Sequence, residues 1–372
     1  MNAQKVLAGW TCAALALLGA RGAAQSPNGT TLDVVFFDVG EGDCAVAITP
    51  RPDPRVLVID GGTRRDAADA VGPYLQARGI DAIDLLILSH AGDGHIEGLT
   101  ELLRTFEVRE IWDPGPSAHS TALQAFQSEA LAAARTRYYQ RFEDQLVEHP
   151  TADVDDAVTR RAVLGIPETF GLAELTVLHA DDAAPGPQGG EDPRASCLVV
   201  RLAFGSQSVL FAADGPGRKP RQLPHDTRAF YTERRLLDLA SRDPGLLEST
   251  VLKVADHGST LGCSGAFLDA VRPQWAVISC AADGRNRPHA DTLGRLAKRR
   301  INVLRTDAAD GHARTGDDHV LLAMSAEGLT LRQLDTNALL DAATAASATP
   351  QQEPRPSRPR QLIRPRPLRG GR

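Results

Sequence analysis

Aromatic side chains make up only 5% of this 372-residue chain, against 42% hydrophobic residues in all, so a core has to be built mainly from aliphatic side chains. Long apolar runs are also missing after the first twenty or so residues, which excludes a multi-span membrane protein. No short-period repeat is present, which argues against a solenoid. Five cysteines occur, and none has zinc-finger spacing. One of them, Cys12, lies in the N-terminal apolar stretch. The other four, Cys44, Cys197, Cys263 and Cys280, allow three pairings that sequence cannot choose between. Three of these abut apolar strand-like runs, where a buried free thiol fits as well as a bridge.

What is present begins with an export signal. Lys5 supplies the positive start, residues 6–20 an apolar stretch, and Gly22-Ala23-Ala24 a small-residue cleavage site before Gln25. Residues 1–24 are therefore expected to direct the body out of the cytoplasm, to a periplasmic or secreted location. An uncleaved anchor is the alternative reading. Charge is uneven: the net −6 resolves into +2 from Lys5 and Arg21, +6 from residues 351–372, and −14 between. An acidic body repels polyanions, so sequence-independent affinity for nucleic acid or an anionic surface would have to come from the basic tail. Residues 336–372 run from Ala/Thr/Ser into Pro/Arg and are expected to be disordered, as a solvated tail or an anion-binding arm.

Between the ends, strand-like and helix-like patterns alternate. Runs at 32–37, 44–48, 56–60 and 85–88 read as strands, and 66–78 and 97–106 as helices, the latter with Leu99, Leu102, Leu103 and Phe106 on one face. Residues 123–142 read as a helix within an insertion at about 115–160. A second half repeats the theme, with strands expected at 175–178, 198–202, 209–212, 251–254, 275–279, 303–305, 320–324 and 329–334 and helices at 229–240 and 293–299. Two such halves in one domain, 25–335, point to an α/β fold with two packed sheets between helical layers.

The most informative segment is Asp84-Leu-Leu-Ile-Leu-Ser-His90-Ala-Gly-Asp93-Gly-His95-Ile-Glu-Gly98-Leu99. An apolar strand runs into two histidines and an aspartate, and a helix follows. The strand end is a rigid support, and Ala91, Gly92 and Gly94 let the backbone turn tightly. Imidazole nitrogen and carboxylate oxygen are the ligands that zinc and similar ions prefer. The segment resembles the metallo-β-lactamase signature as it runs in ComEC-like proteins. Further landmarks of that branch follow in order: Asp38-Val-Gly-Glu-Gly-Asp43, Leu57-Val-Ile-Asp60-Gly61-Gly62, Val209-Leu-Phe-Ala-Ala-Asp214, Leu252-Lys-Val-Ala-Asp256-His257-Gly258-Ser259, and Arg287-Pro-His289.

The resemblance implies a four-layer αββα sandwich. Its metal-ligand positions fall on His90, His95, Asp214 and His257, with Asp93 a further candidate one residue away from its usual place. It also implies a Zn2+ or Mn2+ ion, one or two per site, and hydrolysis of a phosphodiester in a nucleic acid or other phosphate ester. Asp214 would be central to catalysis and His289 a proton donor. Asp43 and Asp256 are expected only in supporting positions, and Asp60 as a buried residue that orders its loop. The departures are specific: Gly92 stands at a ligand position, Gly94 at that of an aspartate, and Asp256 and Arg287 each replace a histidine. The expected site is therefore reduced. A binding protein that kept the fold and lost the chemistry is the competing reading.

Overall fold

The computed structural model describes residues 31–114, 121–133, 137–141, 145–148, 159–161, 163–180, 187, 192, 194–281, 286–307 and 318–348. The expected export signal and the Pro/Arg run lie outside these residues.

Two sheets carry the described fold. A ten-stranded sheet runs, edge to edge, through Thr159–Arg161, Gln145–Glu148, Arg137–Arg141, Glu110–Asp113, Leu85–Ile87, Val56–Ile59, Ala45–Ile48, Leu32–Phe36, His319–Met324 and Leu329–Leu334. A seven-stranded sheet runs through Glu168–Phe170, Ala173–His179, Val199–Phe204, Gln207–Phe211, Val251–Lys253, Trp275–Ile278 and Asn302–Arg305. Side chains alternate across a strand, so successive apolar residues feed two different cores. Val34 and Phe36 enter the layer between the sheets with Val200, Leu202, Val209 and Phe211. Val35 and Phe37 instead pack outward onto Tyr74, Leu75, Leu99 and Phe126 of the covering helices. The second sheet does the same: Val251 and Val277 face inward, while Leu252, Ala276 and Ile278 pack against Leu236, Phe267 and Leu296. Each such fully buried side chain contributes about 1.5–3 kcal/mol. The result is the four-layer αββα sandwich that the motifs imply.

Strand direction decides where chemistry can sit. Val56–Ile59, Leu85–Ile87 and Glu110–Asp113 are parallel neighbours, as are Gln207–Phe211, Val251–Lys253 and Trp275–Ile278. Their carboxyl ends lead into Asp60, Ser89-His90, Asp214, Asp256-His257 and Ser279. Loops at the carboxyl ends of parallel strands are where such sheets bind ligands.

Three expectations need correction. The stretch read as one helix over 123–142 is a helix only at Thr121–Ala132; Arg137–Arg141 is a strand pairing in parallel with Glu110–Asp113. Tyr138 and Tyr139 there split between the two cores, and this packing outweighs the Ala- and Arg-rich composition. Residues 336–347, expected to open the disordered tail, form the helix Thr336–Ser347. Asp335 caps it by accepting from Ala338 N, and Leu339 and Ala343 are buried in the first core. A stripe of two or three apolar residues in an Ala/Thr background suffices once a sheet face is there to receive it. The third is an omission: the helix Gly265–Val271, capped by Ser264, was not expected. All four cysteines outside the N-terminal stretch are free and buried, so no bridge forms among them.

Candidate metal centre

The first half delivers two side chains by close backbone packing. The turn at 40–43 lies on the first turn of the helix Asp93–Thr105, where Asp43 N donates to Gly94 O at 3.4 Å. A Cβ at position 42 would stand 2.3 Å from Gly94 O, so only glycine allows the approach. The next loop locks in as Gly61 N donates to His95 O at 2.9 Å and Gly62 N to Asp43 O at 2.9 Å. Asp43 and His95 are thus neighbours although 52 positions apart in sequence.

The second half delivers its ligands on unusual backbone. Ala213, Asp256 and His257 have φ of 49°, 49° and 50°, and Asp60 in the first half has 58°. Non-glycine residues held in that region cost about 1–3 kcal/mol each and persist where the surroundings over-determine them. Four such residues ring one site.

There, Asp43, His95, Asp214 and His257 offer one ligand atom apiece, all within 4.8 Å of one another. His257 Nε2 is 3.5 Å and His95 Nε2 4.0 Å from Asp214 Oδ2. Both rings are aimed from behind. His95 Nδ1 meets Asp60 Oδ2 at 2.9 Å, and Asp60 also accepts from Ser89 N and Oγ at 2.8 and 2.6 Å. His257 Nδ1 lies 3.1 Å from the Ser279 carbonyl oxygen. Each Nδ1–H finding an acceptor leaves the Nε2 lone pair facing inward, as in metal-bound histidines. One carboxylate oxygen of Asp214 and one of Asp43, each Oδ1, are buried without a hydrogen-bond partner. Buried orphan acceptors are costly unless a cation is supplied. Two imidazole nitrogens and two carboxylate oxygens fit a divalent ion of the zinc or manganese kind.

The electrostatics agree with that donor set. Burial would push His257 down, but the Asp214 and Asp43 carboxylates outweigh it and raise the imidazole to about 9. Burial would raise Asp214, yet His257 and His90 hold it well below the usual range. The carboxylates thus demand positive charge, which protons supply when no metal does. Lys253, buried, supplies a fixed share through its ion pair with Asp43.

The expected site residues are placed unevenly. His95, Asp214 and His257 belong to the group of four. His90 stands at its edge, Nε2 3.6 Å from Asp214 Oδ2, with its ring 4.1 Å from that of His95. Burial and His95 lower His90 to about 4, leaving it neutral. The side chain of Asp93 lies outside the described residues. His289 caps the helix Ala290–Lys298, its Nδ1 accepting from Asp291 N at 3.1 Å, and its backbone N–H donates to Gly258 O at 2.9 Å, which ties that helix to the loop carrying His257. Asp43 was expected only in a supporting position and instead belongs to the group. The sheet-to-helix packing that brings it in leaves no local pattern beyond the Gly-Glu-Gly spacing before it.

Where the motif is altered, the space is filled. A Cβ at position 92 would lie 2.7 Å from His90 Nε2, so an imidazole occupies the room a side chain there would need. Asp256 is held by Arg287 Nη2 at 3.2 Å and Arg194 Nη1 at 3.7 Å, and Arg287 also pairs with Glu41.

Residues 45–171 match the Metallo-beta-lactamase superfamily. Over that stretch the chain is similar to a metallo-beta-lactamase domain. His95 lies in the matched stretch, whereas Asp214 and His257 come from the half beyond it. The chain is 26% identical over 294 residues to ComE operon protein 3 of Bacillus subtilis (strain 168), covering 74% of this chain and 32% of that protein. It is 25% identical over 314 residues to Competence protein ComA of Neisseria gonorrhoeae, covering 80% of this chain and 36% of that one. It therefore spans about a third of the length of these curated relatives, and the ComEC-like branch of the metallo-beta-lactamase superfamily fits. Among solved structures, a CmlA β-hydroxylase variant aligns with a TM-score of 0.42 at 13% identity, over 80% of this chain and 54% of that one. No helix of the described residues is long and apolar enough to cross a membrane.

Proposed function

We propose that this chain is an exported, metal-dependent hydrolase acting on phosphodiesters, in nucleic acid or another phosphate ester, through a single-ion site. The observation that carries the reading is the convergence of Asp43, His95, Asp214 and His257 with two buried carboxylate oxygens left unmatched. Zn2+ or Mn2+ held there would supply Lewis-acid activation of the phosphoryl group and of the attacking water. The chain's own part is orientation. Asp60 and the Ser279 carbonyl fix the two imidazoles, and the Lys253 ammonium holds Asp43 in place. His289 has its Nδ1 committed to the helix cap, so donation to a leaving oxygen would fall to its Nε2. The export part of the proposal rests on the pattern of residues 1–24, and the basic tail is offered as the arm for anionic surfaces.

One observation favours a second reading, a binding protein without catalysis: position 92 has no side chain and its space is filled by His90. The two readings part on a single experiment. The hydrolase should purify with about one equivalent of Zn or Mn and cleave bis(p-nitrophenyl) phosphate, with both properties lost in Asp214→Ala. Protein that binds no metal and is not stabilised by added Zn or Mn would leave the binding reading, since a ligand of the folded state must raise stability.

A further inference from the structure

Two arginines from separate segments reach one buried carboxylate beside the centre. Asp256 is 2% exposed and immediately precedes His257, while the Arg194 and Arg287 side chains are 28% and 27% exposed. Each guanidinium is anchored on its far side. Arg194 gives Nε and Nη2 to Asp192 at 3.2 and 2.9 Å, and Arg287 pairs through Nη1 with Glu41. The edges that remain face Asp256, but loosely. Arg194 stands at 3.7 Å, beyond hydrogen-bond reach, and Asp256 Oδ1 has no aligned hydrogen bond although Arg287 is 3.2 Å away. An ion pair built for stability closes into a forked, two-bond contact. This one is left open, with both cations half-turned to solvent.

The surroundings give that opening a use. Asp43, Asp60, Asp214 and Asp256 are all buried at this spot, and Lys253 is already paired with Asp43. A phosphate approaching so many carboxylates in an acidic body needs fixed positive charge at the entrance. We propose that Arg194 and Arg287 form a two-guanidinium clamp for the non-bridging oxygens of the anionic substrate, set over Asp256 at the altered half of the centre. This deepens the hydrolase reading and rests on it for the substrate class. Asp256 is then the clamp's holder, competing for the arginines until an anion arrives. Planar forks with several N–H donors suit phosphate oxygens better than a lysine's point charge.

The test is calorimetric titration of the full chain with inorganic phosphate, zinc-loaded and zinc-stripped, with bound zinc and thermal stability measured on the same samples. Arg194→Ala and Arg287→Ala should each weaken phosphate binding about tenfold at unchanged zinc content, and Arg→Lys variants, which keep the charge and the fold, should lie between. Asp256→Asn should tighten phosphate binding, a result that a merely structural ion pair does not give. Phosphate affinity indifferent to both arginines, no phosphate binding in the parent protein, or weaker binding in a folded Asp256→Asn overturns the clamp. Protein that takes up no zinc when loaded yet binds phosphate through the arginines keeps the clamp and sinks the hydrolase reading. Zinc-bearing protein with arginine-independent phosphate binding does the reverse.

Discussion

The two halves of the centre start alike and finish differently. Around Asp43, His95, Asp214 and His257, each imidazole is fixed from behind and carboxylate oxygens are left unmatched at the middle. Around His90, Gly92, Asp256 and Arg287, the buried carboxylate faces two arginines of the chain itself, and the room at position 92 is taken by an imidazole. The difference shows how a two-ion motif can shrink. Losing ligands need not leave a hole, because a neutral histidine and guanidinium–carboxylate pairs can fill it. What survives is the half whose geometry still asks for a cation.

The most severe test of that contrast is Asp214→Ala, which removes the carboxylate that faces three histidines. Phosphodiesterase activity should fall to background and zinc content to near zero by elemental analysis. Zinc retained at the parental level would mean that the intact half is elsewhere. A smaller effect is expected for Asp60→Asn, which leaves the shape but takes the carboxylate from behind His95. Loss of such an orienting partner weakens metal binding about 10–100-fold, measurable by competition with a chelator. Unchanged affinity would make Asp60 a loop residue only.

Putting a ligand back sharpens the comparison from the other side. Gly92→His should not create a second ion site, because its Cβ has to displace the His90 imidazole, 2.7 Å away, and positions 94, 256 and 287 still lack their metal-site residues. The variant is expected to lose about 1–3 kcal/mol by overpacking, seen in denaturant melts, with stoichiometry unchanged. A gain to two equivalents would show that the altered half is open after all.

The mildest effect belongs to the second half away from the ligands. Glu233 is buried with its Oε2 accepting from Ser264 N at 2.9 Å, and burial pushes its carboxyl up from 4.5 to about 7, against the hydrogen bonds from Ser264 and the charge of Arg295. Between those values the folded chain holds a proton that the unfolded chain has released, so stability is full below about pH 4.5 and lost as pH rises through 7. Glu233→Gln should flatten this slope, by on the order of 1–2 kcal/mol between pH 5 and 8. A parallel pH dependence in variant and parent would remove Glu233 from the account.

Much of this was legible in the sequence, for physical reasons. Residues 85–88 read as a buried strand running into His90 because apolar runs and chain breaks are local signals. Asp214 after 209–212 read the same way, and the two-faced apolar strands foretold sheets buried on both sides. Asp43 was undervalued because its place depends on Gly42 lying against Gly94, a contact between distant segments. Nothing in the sequence marks Arg194, which sits in an irregular loop with no periodicity. The helix Thr336–Ser347 was missed because an Ala/Thr-rich stretch carries little apolar surface of its own, and its order comes from the sheet face beneath Leu339 and Ala343. The strand Arg137–Arg141 is hidden in the sequence because pairing with Glu110–Asp113, not local propensity, decides its conformation.

The decisive number is metal per chain. Elemental analysis of the purified protein, saturated with zinc and then freed of excess, should give one equivalent in the parent. The same count near zero, or a count of two, contradicts a centre in which one half grips an ion and the other has been closed by arginine and histidine.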